Sequence, residues 1–269
     1  MTALVRDLMH RGLITCRQDA ALGQVAVMLT QHHVHALVVV DRDRRPIGLI
    51  SDFDLLAGEW LSADSESLTV MRKLTAADLM SHPIASVEAG VSLAEAAQLM
   101  LDKDISRLMV TEDGKPAGMI AGSDFVASIA RGEKAKRETV ADVMSDAILV
   151  CRDKTPITSA ARTMTQAGWR SVLVVDAGGR PLGVVSEKDL IAQLPDGLKD
   201  DVVVSQVMHP MGTISSHASL REAADLMIRK HHHRVVVVDD KNPEAFPLGI
   251  VSSFDIVAEM ARPGSVWQT

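Results

Sequence analysis

Residues 183–190 read GVVSEKDL, and three other stretches of the chain follow the same pattern. They are GLISDFDL at 48–55, GMIAGSDF at 118–125 and GIVSSFDI at 249–256. Each copy has a glycine, two apolar residues, a small residue, two variable positions and then an aspartate. With the glycines at positions 48, 118, 183 and 249, the repeat is 65 to 70 residues long. This length predicts a small domain that has its own core but still needs a neighbour.

The flanks of the motif predict the order strand, helix, strand, strand, helix in each repeat. In residues 93–100, LAEAAQLM, the apolar positions share one face of a helix. A valine-rich strand follows the helix, and the paired glycines within 176–180 favour a tight hairpin into the motif strand. Each repeat also opens with one helical turn of Asp or Gln, an apolar residue and Met, at 7–9, 78–80, 142–144 and 206–208.

Polar connectors separate the repeats. They are SADSES at 62–67, RGEKAKRE at 131–138 and PDGLKD at 195–200. We therefore expect an irregular tail from Pro263 onward and four repeats, numbered 1 to 4 in chain order, at residues 1–61, 74–131, 139–195 and 202–262.

The composition limits the function classes. There are 28 Lys and Arg against 35 Asp and Glu, a net charge of −7, which argues against a sequence-independent grip on nucleic acid. No apolar run approaches the roughly 20 residues of a membrane span, and the start lacks a secretory apolar core. Cys16 and Cys151 are too few and too far apart for a disulfide framework or a thiolate zinc site. We expect a cytoplasmic protein that binds neither nucleic acid nor membrane.

The four motifs, each following a valine-rich hairpin and an Asp-apolar-Met start, resemble cystathionine-beta-synthase-type (CBS) domains over almost the whole chain. The resemblance implies an α/β (α+β) fold of four β-α-β-β-α repeats. It also implies that the repeats pair about pseudo-two-fold axes into two Bateman modules, residues 1–131 and 139–262. Many modules of this family bind adenosine-containing ligands in clefts between the paired sheets.

The resemblance assigns the ribose contact to the motif aspartate, whose carboxylate can accept hydrogen bonds from two vicinal hydroxyls. The serine three residues earlier would face a phosphate or sugar at a helix start, where free amides favour an anion. Ala121 takes this place in repeat 2 and has no hydroxyl. The residues concerned are Asp54, Asp124, Asp189 and Asp255, with Ser51, Ser186 and Ser252.

The same Ser-x-x-Asp spacing is also a capping box, worth roughly 1 kcal/mol of local stability without any ligand. A cap organises the same amides that a ligand would use, so both roles can hold together. The residues alone leave the two interpretations open.

Phosphate contacts in the family come from basic residues just before the valine-rich strand. Here these positions hold His35-Ala36, Ser106-Arg107, Arg170-Ser171 and His233-Arg234. A solvated strand edge is the alternative role for them. The first extended segment of each repeat adds hydroxyls that can reach a phosphate or their own backbone, at Thr15, Ser86 and Thr213, and Val150 breaks this pattern in repeat 3.

The family arrangement places these side chains opposite the motif of the paired repeat. Asp189 with His233 and Arg234 is then the best-equipped site, because only repeat 4 keeps both basic residues. Asp54 with Arg107 ranks second. Asp255 opposite Arg170 is offset by one residue, and Asp124 opposite His35, which lacks both the serine and an arginine, is expected to be empty or weak.

Other chemistry is poorly supported. The histidines cluster at 32–35 and 231–233, but no carboxylate or cysteine stands at ligand spacing from them, so we predict no metal site. The chain has no Walker-type loop, Gly-x-Ser-x-Gly, zinc-protease motif or paired catalytic carboxylates. We therefore expect no enzyme and no catalytic cofactor. Cys16 and Cys151 hold the same position of repeats 1 and 3, which favours packing over a nucleophile.

The function that these patterns favour is a regulatory sensor that binds AMP, ADP, ATP or a related adenosyl ligand. It would signal to a regulated partner protein, whose identity is unknown, through a ligand-dependent rearrangement of the repeats. The alternative is an interaction scaffold with vestigial clefts, and a metal-dependent hydrolase built on the histidine clusters is a distant third. Whether the modules close within one chain or across a homodimer is open.

Overall fold

The computed structural model describes residues 3–60, 73–131, 139–193 and 201–265. The predicted connectors at 62–67, 132–138 and 195–200 lie outside the described residues. The predicted order of strand, helix, strand, strand and helix is confirmed in each of the four repeats.

The first half of the chain contains repeats 1 and 2, and the first helix of each repeat is its opening turn. Repeat 1 comprises α1 (Val5–Leu8), β1 (His10–Arg11), β2 (Thr15–Arg17), α2 (Leu22–His32), β3 (Ala36–Val40), β4 (Pro46–Ser51) and α3 (Asp52–Trp60). Repeat 2 comprises α4 (Ala76–Leu79), β5 (Ser86–Glu88), α5 (Leu93–Asp102), β6 (Arg107–Glu112), β7 (Lys115–Ala121) and α6 (Gly122–Arg131).

The second half repeats this plan. Repeat 3 comprises α7 (Val140–Val143), β8 (Val150–Arg152), α8 (Ile157–Ala167), β9 (Ser171–Val175), β10 (Pro181–Ser186) and α9 (Glu187–Ile191). Repeat 4 comprises α10 (Val204–Val207), β11 (Thr213–Ser215), α11 (Leu220–Lys230), β12 (Arg234–Val238), β13 (Gly249–Ser252) and α12 (Ser253–Ala261). Among the described residues, no helix combines the length and the apolar character that a membrane crossing needs.

Each repeat forms a small sheet around its valine-rich strand. The three-residue strand of the repeat (β2, β5, β8 or β11) pairs with this strand in parallel, and the motif strand pairs with it antiparallel, as β8 and β10 do on either side of β9. Every residue of β9 is buried. The predicted helix face in 93–100 is also buried, with Leu93, Ala96, Ala97 and Met100 at most 2% exposed.

The described chain forms two compact units, each with its own apolar core. Unit 1 comprises Met1–Leu13, Ala85–Ile148 and Met211–Thr269, and in it α12 packs on α5 and α6. Unit 2 comprises Ile14–Ile84 and Leu149–Pro210, and in it α3 packs on α8 and α9. Unit 1 therefore holds the sheets of repeats 2 and 4, and unit 2 holds those of repeats 1 and 3. The module bounds 1–131 and 139–262 stay a prediction.

The opening turn of each repeat lies on the sheet of a neighbouring repeat. The residue that follows the Met of the turn pairs with the first apolar residue of that repeat's motif. The pairs are His10 with Met119 and Ser145 with Ile250 in unit 1, and Ser81 with Leu49 and His209 with Val184 in unit 2. Repeats 1 and 2 thus exchange their opening turns, and so do repeats 3 and 4.

This exchange explains the glycine of the motif. A Cβ atom on Gly183 would lie 2.8 Å from the His209 carbonyl oxygen, and one on Gly249 would lie 2.5 Å from that of Ser145. Gly48 and Gly118 meet the exchanged turns in the same way, at Met80 and His10. The motif needs glycine because another segment of backbone or a Met side chain crosses directly over it.

Candidate functional site

Three of the four motif aspartates form a hydrogen-bonded pair with their serine at the start of the closing helix. In repeat 3 the N–H and hydroxyl of Ser186 donate to Asp189 Oδ2 at 2.7 and 2.6 Å. The corresponding bonds run from Ser51 to Asp54, both 2.7 Å, and from Ser252 to Asp255, both 2.6 Å. The predicted cap is complete in repeats 1 and 4, where the hydroxyls of Ser51 and Ser252 also accept from the N–H of the aspartate. In all three repeats the serine donors fix one carboxylate oxygen of the aspartate.

Repeat 2 lacks the hydroxyl. Only the backbone N–H of Ala121 reaches Asp124 Oδ2 from the motif itself, at 2.8 Å. Asp124 is also more deeply buried than its counterparts, at 6% exposure, whereas Asp54, Asp189 and Asp255 are half-buried.

Two motif aspartates also contact a histidine from the exchanged turn. His209 Nδ1 lies 3.0 Å from Asp189 Oδ2, and His10 Nε2 lies 2.9 Å from Asp124 Oδ1. Both histidines directly follow the Met of an opening turn, where Ser81 and Ser145 stand in the other two repeats. The sequence analysis missed both histidines. Aligning the four opening turns with one another would have separated them from the histidine clusters.

The pKa values of these two aspartates move in opposite directions. Burial is the largest influence on each and acts to raise the pKa. At Asp124 burial prevails over the Ala121 N–H and His10, so its pKa is raised above the ordinary value. At Asp189 the hydrogen bonds from His209 and Ser186 together outweigh burial and hold its pKa below that value.

The basic residues predicted for repeats 1 and 3 lie beside carboxylates within unit 2. Arg170 Nη1 donates to Glu187 Oε2 at 3.1 Å, and its guanidinium lies 5.0 Å from the centre of the Phe53 ring. His35 Nδ1 lies 2.7 Å from Asp52 Oδ2. Asp52 and Glu187 are the first residues of α3 and α9, so the contact between these helices brings the two ion pairs together.

His35, Asp52 and Glu187 are also the donor set in the described residues that could hold a metal ion, since their ligand atoms lie within 4.8 Å of one another. The charges of the neighbouring side chains favour a network of polar contacts over a metal site. The Arg170 guanidinium already pairs with the buried Glu187 carboxylate, and His35 Nδ1 contacts Asp52, so a divalent ion would lie beside a permanent positive charge. The cluster therefore provides polar partners for its own carboxylates.

The remaining predicted residues divide between the two units. Unit 2 contains Asp54, Asp189, Ser51, Ser186, Arg170 and Thr15, and unit 1 contains Asp124, Asp255, Ser252, Arg107, His233, Arg234 and Thr213. Each predicted pair of an aspartate with a basic residue takes one member from each unit, and these pairings stay predictions. Thr15 and Thr213 are exposed at the starts of β2 and β11.

The two cysteines fit the packing role predicted for them. Cys16 is buried in the core of unit 2, and Cys151 is half-buried against that core. Burial raises the pKa of each thiol to about 11. Both are therefore protonated at neutral pH, and the thiol is not the nucleophilic form.

Comparison with known proteins identifies the same four repeats. A family model described as "CBS domain" matches residues 5–59, 76–131, 140–196 and 204–262. The crystal structure of a Methanocaldococcus jannaschii protein, described as an archaeal homologue of g-AMPK, matches with a TM-score of 0.81 at 17% identity. The match covers 95% of this chain and 99% of that one, and it shows a shared fold.

Two curated proteins are similar over shorter stretches. Homoserine O-acetyltransferase of Methanohalobium evestigatum is 31% identical over 114 residues, which are 42% of this chain and 22% of that protein. An uncharacterized protein of Methanocaldococcus jannaschii is 27% identical over 222 residues, 77% of this chain and 50% of that protein. The aligned part of this chain thus spans half or less of the length of either relative.

Proposed function

The chain belongs to the CBS-domain family, and we propose that it is a regulatory sensor that binds an adenosine-containing ligand. The observation that supports this function best is the state of Asp189. Three hydrogen bonds converge on its Oδ2, whereas no described residue forms a hydrogen bond or ion pair with its Oδ1. Its pKa is held low, so at neutral pH it offers an ionised acceptor to the hydroxyls of a ribose.

The four sites are proposed to differ in strength. Asp189 is the principal site, with Ser186 beside it and His233, Arg234 and Thr213 as the phosphate contacts. Asp54 with Ser51 and Arg107 is second. At Asp255 with Ser252, the proposed contact Arg170 already bonds Glu187, so a ligand would have to compete for it. Asp124 is the weakest site, because both of its oxygens accept hydrogen bonds within the protein.

The proposed signal is a shift between arrangements of the repeats. A ligand moves such an equilibrium only as far as its affinity differs between the two states. The ligand classes to test first are AMP, ADP and ATP, and the receiver would be a partner protein or a second copy of the chain in the cytoplasm. This proposal assigns no catalytic step to the chain.

The test is a ligand panel on the full chain, read by thermal shift and by isothermal titration calorimetry. The panel contains AMP, ADP, ATP, S-adenosylmethionine, NAD and cyclic dinucleotides. A ligand present at 100 times its Kd should raise the free energy of unfolding by about 2.7 kcal/mol. Asp189→Ala should abolish the tightest binding event, and Asp124→Ala, its matched control, should retain it.

Two results of the ligand panel would contradict parts of this proposal. If the wild-type chain responds to none of these ligands, the clefts are vestigial and the scaffold alternative is favoured. If a ligand binds with equal affinity to Asp189→Ala, then the sensor function stands but the principal site is misplaced.

A further inference from the structure

The first residue after the Met of each opening turn has the same backbone position in every repeat. Its place is set by antiparallel pairing with the neighbouring motif, as where His209 and Val184 exchange two backbone hydrogen bonds of 3.0 Å. Gly183, next to Val184, leaves the room for this crossing. The side chain at this position is therefore presented to a motif by strand pairing rather than by a loop.

At repeat 3 this position leaves one carboxylate oxygen without a hydrogen bond from any described residue. His209 Nδ1 contacts Asp189 Oδ2, the oxygen that the N–H and hydroxyl of Ser186 already bond. No described residue forms a hydrogen bond or ion pair with Oδ1. Three donors on one oxygen fix both the rotation of the carboxylate and the direction in which Oδ1 points.

At repeat 2 the residue in the same position leaves neither carboxylate oxygen of the aspartate unengaged. His10 Nε2 contacts Asp124 Oδ1, while the Ala121 N–H takes Oδ2, so both oxygens are engaged. The two imidazoles also differ in burial. The His10 side chain is 82% exposed, whereas that of His209 is 26% exposed against an aspartate at 21%. His209 is thus held between protein groups, as a residue that orients another must be.

We propose that His209 is a positioning residue for ligand binding, which holds Asp189 with Oδ1 directed toward the hydroxyls of a ribose. This inference rests on the proposed function, because it names the residue that prepares the principal site of that function. His209 acts through Asp189 and need not touch the ligand. The opening turn of repeat 4 would then contribute, through Asp189, to ligand binding on the motif of repeat 3.

A purely structural His209 would hold the exchanged turn in place without affecting how Asp189 binds. Two properties separate these roles. Burial acts to raise the pKa of Asp189, and His209 and Ser186 act to lower it, so loss of the imidazole should raise that pKa. A neutral hydrogen-bond donor at position 209 should restore the orientation of Asp189 and with it ligand binding. If His209 were only structural, binding would not depend on such a donor.

The experiment measures AMP binding by calorimetry on the full chain from pH 3 to pH 8, a range that extends below the ordinary carboxyl pKa of about 3.9. Its variants are His209→Ala, His209→Gln and the control His217→Ala, which removes an exposed histidine of repeat 4 from the turn before α11. Loss of one hydrogen bond to a charged acceptor should weaken binding in His209→Ala by about 10-fold. The acid limb of its binding curve should also move to higher pH. His209→Gln should recover most of the affinity at pH 7, and His217→Ala should match the wild type.

The outcomes distinguish this inference from the proposed function. If wild type binds AMP and His209→Ala binds equally well with the same acid limb, the inference is overturned and the sensor function stands. Weaker binding of His209→Ala with an unmoved acid limb and no recovery in His209→Gln also overturns it, since that result describes a structural residue. If neither AMP nor any other ligand of the panel binds wild type, both proposals fall together.

Discussion

Asp124 and Asp189 occupy the same place in repeats 2 and 3, and each contacts a histidine from an exchanged turn, yet their pKa values move in opposite directions. Two differences separate them. Ser186 gives Asp189 a hydroxyl donor that Ala121 cannot give Asp124, and the two histidines contact different carboxylate oxygens. The comparison teaches that the motif alone does not define a binding site. A single hydroxyl and one exchanged side chain influence the direction in which the pKa of the aspartate moves and determine which of its oxygens is engaged.

The largest effect should come from removing the exchange at repeat 3. A side chain in Gly183→Val would meet the His209 carbonyl oxygen and Met208 Sδ, which lie 2.8 and 3.0 Å from an added Cβ. Overpacking of this kind costs up to about 3 kcal/mol in the free energy of unfolding. Urea denaturation measures the loss, and calorimetry should show that AMP binding falls with it because His209 is displaced.

The matched control is Gly23→Ala, where nothing lies within 4 Å of the added Cβ in helix α2. It should raise stability by up to about 1 kcal/mol, since alanine is the better helix former. A Gly183→Val variant as stable as wild type would show that the exchanged turn yields easily and does not constrain the site.

A second experiment gives repeat 2 the motif hydroxyl of repeat 3 and releases Asp124 Oδ1. Ala121→Ser adds a hydroxyl that can donate to Asp124 Oδ2, and His10→Ser removes the imidazole from Oδ1. Ala121→Ser should lower the pKa of Asp124, measured by carbon NMR titration of the carboxyl group, and the double variant should show a higher pKa than Ala121→Ser alone, because His10 also lowers it. The double variant should strengthen AMP binding at this site by about 10-fold, the value of one hydrogen bond to a charged group.

The single variants serve as controls for the pair. Ala121→Ser alone should lower the pKa of Asp124 while His10 still covers Oδ1. An Asp124 pKa that stays raised in both Ala121→Ser and the double variant would mean that burial outweighs any added donor.

The reverse change, Ser186→Ala, makes repeat 3 resemble repeat 2. Loss of the hydroxyl removes its hydrogen bond to Asp189 and should lower the free energy of unfolding by about 1 kcal/mol. The pKa of Asp189 should rise, because one of the hydrogen bonds that opposed burial is gone. Ser92→Ala, which removes the capping hydroxyl of α5 outside any motif, should cost similar stability and leave the Asp189 pKa unchanged. Equal Asp189 pKa values in Ser186→Ala and wild type would contradict the role given to this hydroxyl.

The fold could be predicted down to individual elements because the four repeats provide internal comparisons. The apolar spacing in 93–100 predicted the buried face of α5, and the same spacing recurs in α8 and α11. The exchange of opening turns could not be predicted. A one-turn helix has no periodicity that indicates which sheet it covers. For that reason the need for the motif glycine and the contacts of His10 and His209 appeared only in the structure.

The candidate site was predicted less completely. Motif aspartates and their serine caps follow from local spacing, which a sequence displays directly. The carboxylate partners of His35 and Arg170 lie 17 residues further on, at positions of the motif that vary between repeats. These positions hold Asp52 and Glu187 in unit 2, but Gly122 and Ser253 in unit 1. Helix contacts specific to each unit, rather than the shared motif, set the residues found there.

The smallest effect, and the one whose sign matters most, is the pH dependence of stability at the two aspartates. The lowered pKa of Asp189 contributes stability that is present above the unfolded carboxyl pKa, about 3.9, and lost as pH falls through the folded value. Burial raises the pKa of Asp124, despite the contact with His10 and the charge of Arg131, and this means a penalty at neutral pH that is relieved as pH falls through the folded value. Thermal unfolding at pH 7 should therefore show Asp189→Asn less stable and Asp124→Asn more stable than wild type, and both differences should shrink toward pH 3. If the two Asn variants change the stability at pH 7 in the same direction, the two aspartates have the same effect on folding. The structural differences between repeats 2 and 3 would then not change how the two carboxyl groups ionise.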